Sequence, residues 1–146
     1  MATVSDLLSA KPARPVLTIE HSATVLVATQ RMNDQSVGAL LVTEAGRLCG
    51  IFTERDVLRR VVAAERSPAE TRVGDVMTTK MACASPETSV DEARSIFKVH
   101  RIRHLPIVAN DGALVGVVSI GDLNAHLAND REVTMHFLTE YLHGRT

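Results

Sequence analysis

GALLVTEAGRLCGIFTERDVL at residues 38–58 and HLPIVANDGALVGVVSIGDL at residues 104–123 are one stretch written twice. Slid by 66 positions, the first falls on the second without a gap. Val42 meets Val108, Gly46 meets Gly112, Leu48 meets Leu114, Gly50 meets Gly116 and Asp56 meets Asp122. An internal repeat decides an architecture before any single element does. The same order continues upstream at slightly different offsets: VSDLL (4–8) answers VGDVM (73–77), and ATVLVATQRM (23–32) answers SVDEARSIF (89–97). The 146 residues divide into a first repeat at 1–66, a polar linker at 67–71 carrying Pro68, a second repeat at 72–128 and a tail at 129–146.

Each repeat reads alike. A helical turn opens it, and a short extended piece follows (Val16–Ile19; Met81–Ala84). Next comes an amphipathic helix with apolar residues on one face: Val25, Ala28 and Met32 in the first copy, Val90, Ala93 and Phe97 in the second. Two β-rich runs, GALLVT and RLCGIFT, flank a turn centred on Glu44–Gly46, and the second copy turns at Asn110-Asp111-Gly112. A last helix is expected to put Val57, Leu58, Val61 and Val62 on one stripe, with Ile120, Leu123 and Leu127 as counterparts. A unit of about 60 residues buries too little apolar surface to stand alone comfortably. The expected fold is therefore α/β (α+β): two pseudo-twofold-related units packed sheet against sheet. In the tail, Asp130 offers an N-cap, Val133, Phe137, Leu138 and Tyr141 an apolar stripe, and Gly144 a stop. That helix either packs back on the core or serves association, and a core already complete favours association with a second protomer or a partner.

Composition removes other classes. The net charge is −1 and the pI near 6.6, so no global basic field attracts nucleic acid. With no Trp, one Tyr and three Phe, a base-stacking platform can hardly be built. No uncharged apolar run reaches the roughly 18–20 residues of a membrane span. Asp6, Lys11 and Arg14 interrupt what a signal peptide would need, which makes the cytoplasm the expected location. Cys49 and Cys83 form no CxxC pair. They read as small buried hydrophobes in a reducing compartment, with a disulfide or redox pair as the alternative.

The sharpest local feature is also duplicated: Gly50-Ile51-Phe52-Thr53-Glu54-Arg55-Asp56 and Gly116-Val117-Val118-Ser119-Ile120-Gly121-Asp122. In each, a strand ends at a hydroxyl residue, a helix starts, and an acid follows three positions on. Two readings fit. A hydroxyl at the N-cap with an acid at N3 is a capping box. The same geometry presents free N–H groups and partial positive charge to a phosphate, while a carboxylate one turn on can accept both hydroxyls of a ribose.

The duplicated strand–strand–helix unit, each copy ending in Gly-hydrophobic-hydrophobic-(Ser/Thr)-x-x-Asp, resembles the cystathionine-β-synthase (CBS) domain family, whose paired copies are called a Bateman module. The resemblance covers about 3–128. VSDLL and VGDVM look like that family's opening segment, RHLPIV (103–108) like its second strand, and the tail EVTMHFLTEYLHGR like the last helix of small stand-alone bacterial pairs. It implies a regulatory module binding an adenine nucleotide or another adenosyl ligand in the clefts between the copies. The ligand would be AMP, ADP, ATP, NAD(H) or S-adenosylmethionine, with no catalytic cofactor. Phosphate and ribose contacts would fall to Thr53 and Asp56, and to Ser119 and Asp122. The base pocket would fall to Thr18 and Ile19, Gly38, Ala39 and Leu40, Ala84, and His104, Leu105 and Pro106. The output would pass to a separate effector protein, from a homodimer. The rival is a ligand-free CBS-pair interaction or scaffold protein whose motifs only cap helices.

The copies differ at the motif. On the 66-residue slide, Val37 and Gly38 face Arg103 and His104, Arg101 adds charge nearby, and the first copy has Arg55 where the second has Gly121, beside Ile120. Arg101, Arg103 and His104 read either as a solvated rim or as a phosphate clamp. Of six histidines, His100 and His104 straddle a helix–strand junction, and His126, His136 and His143 lack ligand spacing, so no metal site is expected. No nucleophile–base set, P-loop or GxGxxG occurs, so no enzyme is expected.

Overall fold

The structure, a computed structural model, describes residues 2–10 and 16–128. The expected tail helix with Asp130, Val133, Phe137, Leu138, Tyr141 and Gly144 lies outside the described residues. In chain order the elements are α1 (Val4–Ala10), β1 (Thr18–Glu20), α2 (Val25–Gln35), β2 (Ala39–Glu44) and β3 (Arg47–Thr53). Then come α3 (Glu54–Asp56), which runs on into a π-helical stretch (Val57–Val62), α4 (Val73–Val76), α5 (Val90–His100), β4 (His104–Val108) and β5 (Leu114–Ser119). A final helix, α6, occupies 120–128. One sheet has the order β1-β2-β3, and the other is the hairpin β4-β5.

Local chemistry accounts for the repeated elements. Thr24 caps α2 by accepting from the Val27 amide, and Ser89 caps α5 by accepting from the Glu92 amide. Each helix ends on a left-handed residue, Ser36 at φ 54° and Arg101 at φ 53°. The buried faces are the expected ones, Val25, Ala28 and Met32 on α2 and Val90, Ala93 and Phe97 on α5. The β2–β3 hairpin turns through Ala45 and Gly46, both at positive φ, which matches the twist of the strands it joins.

The strand registers refine the 66-residue slide. Val42 lies opposite Gly50 in the first hairpin, and Ile107, not Val108, lies opposite Gly116 in the second. Ala39 faces Thr53 as His104 faces Ser119. The second hairpin thus carries one extra residue in its loop. Upstream of it the copies match at 65 positions, so the counterpart of Arg103 is Gly38 and that of His104 is Ala39.

Each apolar core is assembled from both repeats. Ile19, Val25, Ala28, Met32, Leu40, Val42, Phe52 and Val61 cluster with Val73 and Val76 of α4. Val90, Ala93, Phe97, Leu105, Ile107, Val118 and Leu123 cluster with Val4 and Leu7 of α1. The opening helix of each repeat therefore packs on the other one. Backbone bonds fasten both exchanges: Val4 N donates to Thr88 O (2.8 Å), and Val73 N donates to Ala23 O (2.8 Å). The halves also meet at their hairpin turns, where Leu48 N donates to Gly112 O (3.3 Å) and Leu114 N to Gly46 O (3.2 Å). The result is two pseudo-twofold α+β halves joined through their sheets.

Three expectations are corrected. The stripe Val57, Leu58, Val61, Val62 does not form: Val61 is buried and Val57 partly so, but Leu58 and Val62 are 62% and 60% exposed. Here Ala63 N donates to Leu58 O and Arg66 N to Val61 O, and this i→i+5 bonding rotates the side-chain rows away from α-helical spacing. The extended piece Met81–Ala84 shrinks to one parallel bridge, Ala84 to Ile107. Nor are the cysteines small buried hydrophobes: Cys49 is half-buried, Cys83 is exposed, and both are free thiols. Cys83 lies in that shortened segment, where no strand covers it.

Burial, with the carboxylates of Glu44 and Glu20 adding to it, pushes the Cys49 thiol up. Iodoacetamide near neutral pH is therefore expected to label Cys83 well before Cys49, read as a single early adduct by peptide mass spectrometry. Equal labelling rates would contradict the burial seen at Cys49.

Candidate ligand-binding site

Both copies of the motif form complete capping boxes. In the first, Asp56 N donates to Thr53 Oγ1 (3.2 Å), and Thr53 N donates to Asp56 Oδ2 (3.0 Å). In the second, Asp122 N donates to Ser119 Oγ (3.0 Å), and Ser119 N donates to Asp122 Oδ2 (2.8 Å). β3 and β5 deliver each hydroxyl in extended conformation at a helix start, as the strand-to-helix reading requires.

The backbone then sews each box to the neighbouring strand. Glu54 N donates to Gly38 O (3.0 Å), and Ile120 N donates to Arg103 O (2.8 Å). Gly38, Ala39 and Leu40 are thereby brought to Thr53 and Asp56, and Arg103, His104 and Leu105 to Ser119, Ile120 and Asp122. Thr18 and Ile19 sit farther away, because β1 pairs with β2 as Thr18 to Leu41 and Ile19 to Val42. Two strand spacings across and two residues along put Thr18 about 12 Å from Thr53. An elongated ligand could bridge that distance, whereas a single ion could not. The carbonyl of Thr18 is already taken by Arg31 of α2.

Side-chain burial sorts the candidates further. Ile19, Leu40 and Leu105 place their side chains in the cores, Pro106 is buried, and Ala84 and Ile120 pack against the second core. The main chain at Ala84 is already committed to β4: Ala84 N donates to Pro106 O, and Ala84 O accepts from Val108 N. Arg55, Arg101, Arg103 and His104 are exposed. His104 shares a face with Ser119 directly across the ladder, whereas Ala39 occupies that position beside Thr53. At the first motif, the Glu54 carboxylate instead lies within 3.2–3.4 Å of where a Cβ on Gly38 would stand. The second copy therefore sets Arg103 and His104 beside its motif, whereas the first sets the Glu54 carboxylate there, next to the exposed Arg55.

A groove of about 490 Å³ runs between the end of α2 and the start of α3, past Met32, Ser36, Gly38, Glu54 and Val57. Of the candidate residues only Gly38 lines it. Among the described residues no cluster of His, Cys, Asp or Glu is arranged to hold a metal ion, and no helix is long and apolar enough to cross a membrane.

Two residues that the sequence reading passed over complete the first motif. Thr78 Oγ1 donates to Asp56 Oδ1 (2.9 Å), and Arg60 Nε lies 3.7 Å from the same oxygen. Arg60 Nη1 also donates to the carbonyls of Met77 (2.9 Å) and Val76 (3.4 Å). The i,i+4 spacing of Asp56 and Arg60 was a visible signal. Thr78 gave none, since only the exchange of opening segments carries it across to the first motif.

The CBS domain family matches this chain at residues 3–63 and 73–129. The chain is 35% identical over 150 residues to the mitochondrial CBS domain-containing protein CBSX3 of Arabidopsis thaliana, covering 97% of this chain and 72% of that one. It is similar to the solved structure of a protein with CBS domains from Burkholderia ambifaria MC40-6, with 40% identity, a TM-score of 0.72, and coverage of 88% and 96% of the two chains. It shares its fold with CBSX2, solved in complex with AMP, at 22% identity and a TM-score of 0.73, covering 90% of this chain and 99% of that one.

Proposed function

The chain belongs to the CBS-domain family, whose pairs are regulatory modules, and on that footing we propose that it senses an adenosine-type ligand and passes the signal to a separate protein. The observation that carries this reading is the pair of matching carboxylates, Asp56 and Asp122, each held by a capping box beside a strand start that can line a base pocket. An acid in that place accepts ribose hydroxyls, and the helix start beside it suits a phosphate. The ligand classes are AMP, ADP, ATP, NAD(H) and S-adenosylmethionine. AMP comes first because a protein of the same fold has been solved with it.

Arg101, Arg103 and His104 serve as phosphate contacts on the second copy, with Ser119 and Asp122. Thr53, Arg55 and Asp56 serve the first, and Thr18, Ile19, Gly38, Ala39, Leu40, Ala84, Leu105, Pro106 and Ile120 shape the surroundings. The proposed working state is a cytoplasmic homodimer without catalytic activity. The ligand acts by population shift, favouring the arrangement of the two halves that binds it better.

A thermal-shift panel tests the proposal. At 100 times its Kd a ligand stabilises the fold by about 2.7 kcal/mol, which is several degrees for a chain of this size. One member of the panel is expected to raise the Tm, and Arg103→Ala is expected to reduce the rise for phosphate-bearing members. If none raises it, the rival reading stands: an interaction protein whose two capping boxes only start helices.

A further inference from the structure

We propose that Thr78 is a built-in occupant of the first motif, its hydroxyl filling the place at Asp56 that a ligand hydroxyl would take. The inference rests on the adenosine-ligand reading and adds regulation to it. Asp56 is only 5% exposed, and both of its oxygens are committed: Oδ2 to Thr53 N at 3.0 Å, Oδ1 to Thr78 Oγ1 at 2.9 Å. The Thr53 amide belongs to the motif itself and stays with it. Thr78 comes from the other repeat, so it is the partner that a ligand can replace.

The segment bearing Thr78 is fastened to the first half as a unit. Thr78 N donates to Ile51 O and Ile51 N to Thr78 O, both at 2.8 Å. Arg60 holds the carbonyls of Val76 and Met77, and Met77 lies against Gly50. At the equivalent place in the other half, Ser9 Oγ turns back to Ser5 O within its own helix (3.0 Å). Ser9 thus bonds within its own helix, whereas Thr78 bonds across the halves to Asp56. A ligand entering the first motif must displace Thr78, and in doing so it loosens one of the two segments exchanged between the halves. Ligand occupancy is thereby coupled to the arrangement of the repeats.

The test uses AMP as the probe and calorimetry on the full chain, with Asp122→Ala isolating the first motif. Adding Thr78→Val, which keeps shape but removes the hydroxyl, is expected to tighten AMP binding about ten-fold or more, as expected when a competing hydrogen bond to a charged group is lost. Thr78→Ser, which keeps the hydroxyl, is expected to leave affinity near that of Asp122→Ala alone. Circular-dichroism melts confirm that each variant is folded. Unchanged or weaker binding on adding Thr78→Val overturns the occupant role while AMP binding by the unaltered chain leaves the sensor reading in place. No AMP binding by any of these chains overturns the occupant role as stated for AMP, and the sensor reading then falls only if every other member of the thermal-shift panel also fails.

Discussion

Phe52→Ala is expected to cost about 3–5 kcal/mol, the range for truncating a fully buried aromatic. Phe52 is 0% exposed and is the largest fully buried side chain in the structure's described part. It lies in a core with Met32, whereas the second core carries Val118 and Phe97 at the two equivalent positions. One half thus places its bulk on the strand and the other on the helix. For a chain of this size the Tm should fall by about 10 °C or more. Phe52→Val with Met32→Phe, which rewrites the first core in the terms of the second, conserves volume better and should recover part of that loss. Loss of less than about 3 °C in Phe52→Ala would mean that this core collapses around the gap far more readily than its packing implies.

Gly50→Val is the second large effect. A Cβ on Gly50 would stand 2.6 Å from Met77 Sδ, 3.0 Å from Met77 Cγ and 2.9 Å from the Thr78 carbonyl. The carbonyl cannot swing away, because Thr78 and Ile51 exchange both of their backbone bonds. The added side chain must lift the crossing segment off β3. Overpacking of this kind typically costs about 1–3 kcal/mol, and an immobile backbone oxygen argues for the upper end. Gly116 is the internal control. There the nearest atom is Leu8 Cδ2 at 3.1 Å, the end of a side chain that can rotate. Gly116→Ala should therefore be clearly milder than Gly50→Ala in parallel urea melts, and equal midpoints would refute the argument.

The contrast between these glycines shows how far the sequence could be read. Their equivalence was legible from the 66-residue slide, and so were the two helices with Val25, Ala28, Met32 and Val90, Ala93, Phe97 inward. Periodicity and turn chemistry are local, and the repeat supplied each signal twice. The extra residue in the second hairpin was not legible. Val108 resembles Val42 as well as Ile107 does, and only hydrogen-bonded register tells them apart. Leu58 and Val62 were misplaced for a related reason, since helical spacing assumes i→i+4 bonding and the chain there bonds i→i+5.

At the motif, Thr53 with Asp56 and Ser119 with Asp122 were found as capping boxes because the spacing alone places both groups on one turn. The charge difference between copies was also visible as Arg101, Arg103 and His104. Its correct counterparts, Ser36, Gly38 and Ala39, became visible only with the register.

What the sequence determined by itself is the duplicated unit, its helix faces, its turns and the two capped carboxylates, all of which follow from neighbours within a few residues. The tertiary structure alone decided that each opening helix is exchanged. VSDLL and VGDVM are similar enough that either could pack on either half; which one does depends on burying Val4 and Leu7 with Phe97, and Val73 and Val76 with Phe52. That exchange carries Thr78 to Asp56 across 22 residues of chain, a contact between distant segments that no local pattern encodes.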